Sequence, residues 1–138
     1  MTPIFLLKLY ALTLPVFLTV DLLWLGVVAR SFYQTHLGPI VSPTVNWPAA
    51  AVFYLVYVVG ILVFAVVPGL AKDSLAVAAG WGALFGLFTY ATYELTNLAT
   101  LRDWPLRIVI VDTLWGVVLC ALVASAGFFI GRWLRSGA

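Results

Sequence analysis

The segment WPAAAVFYLVYVVGILVFAVV, Trp47 to Val67, carries no charged side chain. A helix needs about 20 apolar residues to cross the hydrocarbon of a bilayer, so this segment alone predicts a transmembrane helix. Working outward from it, three more stretches reach that length: Ile4 to Val28, Leu75 to Asn97 and Pro105 to Ile130. Short breaks rich in Pro, Gly and charge separate them. The first, Arg30 to Asn46, holds Gly38, Pro39 and Pro43; the second holds Pro68, Gly69, Lys72 and Asp73; the third centres on Arg102, Asp103 and Pro105. Such residues punctuate helices. Nothing along the chain has the roughly ten-residue apolar/polar alternation that a membrane barrel requires. The expected fold is an all-α membrane protein, a four-transmembrane-helix bundle forming a single membrane domain over residues 1–138 without linkers.

Composition supports the same class. Of 138 residues 64% are hydrophobic or aromatic and 9% charged, and the mean hydropathy is +1.14. A soluble domain of this size still exposes roughly a third of its unfolded surface to water, so lipid must cover much of this one. Seven Lys and Arg against five Asp and Glu leave a net charge of +2, scattered along the chain. No basic tract for nucleic acid results. One Cys, Cys120, excludes an internal disulfide, and one Cys with one His argues against a structural zinc site. No His-rich metal motif, nucleotide loop or other cofactor signature is present, so neither metal nor cofactor is expected.

The first span could be mistaken for a secretory signal, because Val27 and Ala29 satisfy the small-residue rule for cleavage. Its apolar run is too long, however, Lys8 lies inside it, and Asp21 and Trp24 interrupt it, so it reads as an uncleaved anchor. An even number of spans puts both termini on one side. That side carries Lys8, Lys72, Arg132 and Arg135, the other Arg30, Arg102 and Arg107. The excess, by one residue, favours cytoplasmic termini.

Three of the five acids lie within spans: Asp21, Glu94 and Asp112. At 1.5 Å per residue, Asp21 is about 10 Å below the end of span one, Glu94 about 5 to 10 Å below the end of span three and Asp112 about 10 Å below the start of span four. Spans one and three run one way and span four runs back, so all three acids arrive in the same leaflet. An ionised acid near mid-span costs on the order of 3 kcal/mol, and the acids are therefore expected to face one another, a basic partner or water. Gly86, Tyr90, Glu94, Asn97 and Leu101 share one helical stripe. Trp115 and Gly116 lie a turn after Asp112, and Trp24 and Leu25 a turn after Asp21. Arg102 and Arg107 are near enough along the chain to reach Glu94 or Asp112. The candidate site is a polar pocket with aromatic walls, built from Asp21, Trp24, Tyr90, Glu94, Asn97, Arg102, Arg107, Asp112 and Trp115.

The string Asp21-Leu-Leu-Trp24 returns as Asp112-Thr-Leu-Trp115. It falls late in span one and early in span four, whereas an inverted repeat would place it at equal distance from each helix start; repeated use of a good local solution is the preferred reading. Gly82 with Gly86, and Gly127 with Gly131, have the spacing that lets helices approach closely, within the bundle or in a homo-oligomer. Trp47, Trp81, Trp104 and Trp133 lie near span ends, as an interfacial belt would. His36 reads as a solvated histidine of the first connection.

Four strings carry a resemblance: Thr89 to Trp104 (TYATYELTNLATLRDW), Asp21-Leu-Leu-Trp-Leu-Gly26, Asn46-Trp-Pro-Ala-Ala50 and Asp112-Thr-Leu-Trp-Gly116. Together they are similar to the bacterial membrane family catalogued as domain of unknown function 2177, over essentially the whole chain. One departure stands at position 94, where Asp is the residue expected of the family; Glu keeps the charge and lengthens the arm. The resemblance implies a small polytopic protein of the bacterial inner membrane, surrounded by membrane lipids, and it implies no activity.

Function therefore has to come from the acids. Binding or transport of a proton or small cationic solute is the first expectation. An enzyme acting on a lipid or isoprenoid, with one acid protonated and another ionised, is the second. The third is a structural or accessory subunit, because polar side chains between membrane helices contribute about 0.6 kcal/mol each as interhelical contacts.

Overall fold

A computed structural model describes residues 1–137 of the chain. Four helices in it are long and apolar enough to cross a membrane: Pro3–Val28, Trp47–Ala71, Leu75–Thr100 and Leu106–Arg135. Large apolar side chains face outward along them, Val28, Val56, Phe64 and Phe88 among them, as lipid-facing positions do.

The first span is α1 (Pro3–Leu23) followed by a wide π-helical turn, Trp24–Val28. Thr2 caps it, its hydroxyl accepting from the Phe5 N–H at 3.2 Å, with Pro3 in the first turn where a missing N–H costs nothing. The break between spans one and two is not all loop: α2 (Arg30–Leu37) occupies its first half and carries His36, whose Nδ1 lies 2.9 Å from the Phe32 carbonyl. Asn46 caps α3 (Trp47–Ile61), accepting from the Ala49 N–H at 3.2 Å. A second wide turn, Leu62–Val66, leads into α4 (Val67–Ala71), so span two runs four residues past the expected Val67. Pro68 was expected to break the helix. The wide turn just before it, where the Val67 N–H bonds the Leu62 carbonyl, takes up the geometry that a proline ring disturbs. Ser74 caps α5 (Leu75–Thr100) through the Val77 N–H, and Pro105 precedes α6 (Leu106–Arg135).

The spans alternate in direction. At the end holding both termini, Arg135 donates to the Leu70 carbonyl at 2.8 Å and its guanidinium lies over the Phe5 ring, while Arg132 pairs with Asp73 at 3.6 Å on the surface. The core is a zipper of Leu9, Phe17, Val58, Ile61, Val66, Leu119, Val123 and Phe128. The closest approach is between α5 and α6. A methyl at Gly82 would meet the Cys120 carbonyl at 2.6 Å, and one at Gly86 would collide with the Gly116 carbonyl. Gly127 and Gly131 likewise give room to Val66 and Leu70. Both small-residue pairs thus serve packing inside the bundle.

Candidate functional site

At the opposite end from the termini, the helices part around a cavity of about 510 Å³. Asp21 enters it from α1, Glu94 from α5 and Asp112 from α6. Asp21 and Glu94 are buried, 4% and 1% exposed, and Asp112 is partly buried. The carboxyl groups of Glu94 and Asp112 are neighbours in this cavity. The three acids expected to share a leaflet thus share a cavity.

Neutral donors hold each of them. Asp21 accepts from the Tyr54 hydroxyl at 2.9 Å on one oxygen and from Trp115 Nε1 at 3.3 Å on the other. Glu94 accepts from Trp104 Nε1 at 2.8 Å. Asp112 accepts from the Tyr33 hydroxyl, which in turn accepts from Trp24 Nε1 at 3.1 Å. In both Asp-x-x-Trp strings the acid and the indole share a helix face, being three residues apart. Across the interface they are crossed: Trp115 of the last span supports Asp21 of the first, and Trp24 of the first span supports, through Tyr33, Asp112 of the last.

The first wide turn begins at Trp24, where the Ala29 N–H bonds the Trp24 carbonyl at 2.8 Å. Wide turns of this kind are frequent at functional sites. Beyond it, α2 carries Tyr33 back over the cavity mouth. Burial, with the hydrogen bond to Asp112 adding to it, pushes the Tyr33 phenol above its ordinary value, so Tyr33 remains a donor at neutral pH.

Deeper in, Tyr57 donates to Thr89 Oγ1 at 2.6 Å, because the Thr89 hydroxyl is itself spent on the Phe85 carbonyl at 2.7 Å. Tyr90 packs its ring on Gly116, where no side chain stands in the way.

Of the residues expected at the site, Asp21, Tyr90, Glu94, Asp112 and Trp115 line the cavity, and Trp24 stands behind it, stacked on Trp115. Asn97 is half-buried outside the lining. Arg102 and Arg107 are not brought in: both are exposed, and neither pairs with an acid among the described residues. Arg107 follows Leu106 at the very start of α6, more than a turn before Asp112, and Arg102 lies in the turn that leaves α5. Trp104, expected in an interfacial belt, is less exposed than Trp47, Trp81 and Trp133 and also donates to Glu94.

The sequence reading passed over Tyr33, Phe53, Tyr54, Tyr57, Thr89 and Tyr93 in the lining. The signal that could have found two of them is the pair of phenols Tyr54 and Tyr57, three residues apart in an otherwise apolar span.

The family described as "Predicted membrane protein (DUF2177)" matches residues 6–129. The chain belongs to that family. The match runs from the first turns of α1 nearly to the end of α6, so the DUF2177 region contains the second and third spans whole, most of the first and fourth, and every residue of the cavity. No curated protein and no solved structure matches the chain.

Proposed function

We propose that this DUF2177 protein binds a proton or a small cationic solute in the acidic cavity and carries it across the bacterial inner membrane, with both termini in the cytoplasm. The observation that carries the reading is the convergence of Asp21, Glu94 and Asp112 on one cavity whose lining includes no Lys, Arg or His. Two carboxylates in contact repel when both are ionised, by about 4 kcal/mol at 4 Å in a medium of effective dielectric 20. A positive charge between Glu94 and Asp112 removes that repulsion, and a proton or a solute cation serves equally. Exchange of one for the other is then a change of occupant at constant charge, which is the elementary step of coupled transport. Buried ionisable side chains facing a cavity inside a membrane mark such pathways in general.

The test is flux into proteoliposomes, followed by pH-sensitive and potential-sensitive dyes, for wild type, Glu94→Gln and Asp112→Asn. Wild type should move protons in exchange for added cation, and each variant should lose at least about tenfold of the rate, the loss that follows from about 1.4 kcal/mol of lost stabilisation. If wild type moves no cation and the variants only melt at lower temperature, the polar network is a structural lock and the proposal is wrong.

A further inference from the structure

We infer that the occupant of the cavity is a lipophilic organic ammonium ion, a tertiary or quaternary amine with an apolar body, and not an inorganic cation. The inference rests on the cation-site reading given above and names its ligand class.

Size comes first. About 510 Å³ lies within the roughly 300–1,000 Å³ of small-molecule pockets, far beyond the needs of a proton or a bare metal ion. Among the described residues no three carboxylate, thiol or imidazole groups gather closely enough to hold a metal. The acids stand around the cavity and do not close on a point.

The walls come second. Phe53, Tyr54, Tyr57, Tyr90 and Trp115 reach the cavity from α3, α5 and α6. Tyr57 packs against Phe53 at 5.3 Å and Tyr90 at 6.2 Å between ring centroids, so the rings form a continuous surface instead of isolated contacts. A cation over an aromatic face within about 6 Å is attracted by the ring quadrupole, most strongly where water is excluded. A quaternary ammonium also needs no hydrogen-bond acceptor.

Third, the polar atoms of the walls leave a one-sided inventory. The donors of Tyr33, Tyr54, Tyr57, Trp104 and Trp115 are committed to partners within the site. Carboxylate oxygens keep further lone pairs. The lining hydroxyls of Tyr90 and Tyr93 stay unpartnered among the described residues, but the charge the cavity offers a guest is negative and stands beside ring faces, which suits a cation with an apolar body.

The experiment uses the full chain in lipid nanodiscs, with empty nanodiscs as reference. Tryptophan fluorescence is followed during titration with benzyltrimethylammonium, with its neutral carbon isostere neopentylbenzene, and with sodium and potassium chloride. Saturable quenching by benzyltrimethylammonium, about tenfold or more tighter than by the neutral isostere, is expected. Phe53→Leu should weaken that binding several-fold, whereas Phe53→Trp should retain or strengthen it, since indole is the best ring for a cation. Phe53 is 46% exposed, so both variants should fold. Equal binding of the charged and neutral probes, or equal affinity of the Leu and Trp variants, overturns the inference. A response to sodium or potassium with none to the ammonium overturns it while leaving the cation-site reading standing. No response to any cation removes both.

Discussion

The indole of Trp24 lies flat on that of Trp115, with ring centroids 4.3 Å apart and planes 6° from parallel. One indole belongs to the first span and the other to the last, and each also spends its N–H at the site, Trp115 on Asp21 and Trp24 on Tyr33. The stack is thus the joint through which two acids are held from two helices. Aromatic pairs contribute about 0.5–1.5 kcal/mol beyond the area they bury. In a cycle of Trp24→Leu, Trp115→Leu and the double variant, unfolding in detergent should give a coupling of about 1 kcal/mol. Strict additivity would show that the indoles act separately.

Tyr33 links the Trp24 indole to the Asp112 carboxyl by hydrogen bonds. Tyr33→Phe keeps the ring and removes the hydroxyl, leaving an indole N–H and a carboxylate oxygen without their partner, at a cost of roughly 1–3 kcal/mol. The sign of its pH dependence follows from the raised phenol. Above about pH 10 an unfolded chain ionises Tyr33 while the folded one does not. The stability difference between wild type and Tyr33→Phe should therefore be constant from neutral pH to about pH 9 and shrink at higher pH. A difference that grows with pH would contradict the assignment.

The four spans were legible because membrane crossing is written in length and hydropathy, and the three acids because a carboxylate in such a segment stands out against its neighbours. Tyr54 and Tyr57 were passed over as site residues because, apart from these two phenols, α3 is so evenly apolar that no face of it is marked as inward. Tyr33 was hidden by lying in a break that sequence punctuation assigns to loop, although the chain there winds one more short helix. The part Trp104 plays at the site was missed because a tryptophan at a span end ordinarily reads as a belt residue among headgroups. Here the chain reverses at Asp103, in the left-handed region at φ 57°, and Trp104 meets Glu94 from beyond the end of α5.

The contact between Gly86 and Gly116 sets the spacing of the helices that carry Glu94 and Asp112. A methyl at Gly86 has backbone in its way, not the end of a flexible side chain. Gly86→Ala should cost about 1–3 kcal/mol as overpacking and should also weaken cation binding by moving the two acids apart. Gly80 offers the control, because a methyl there meets nothing within 4 Å. Gly80→Ala should be neutral or gain up to about 1 kcal/mol from the better helix former. Thermal unfolding of both variants in one detergent decides the matter, and equal melting temperatures would mean that α5 and α6 are not packed this closely.

Arg102 and Arg107 give the sharpest contrast between nearness in sequence and nearness in the fold. Had either guanidinium paired with Glu94 or Asp112, it would have offset one of the three acids; without them all three keep the cavity acidic, and it calls for a cation. Arg102→Ala and Arg107→Ala should therefore leave cation binding within about twofold of wild type, since exposed charges near a site contribute little, while Glu94→Gln abolishes it. Tighter binding after removal of either arginine, by tenfold or more, would mean that the side chain had been neutralising the acids, and the electrostatic basis of the cation reading would have to be rebuilt around it.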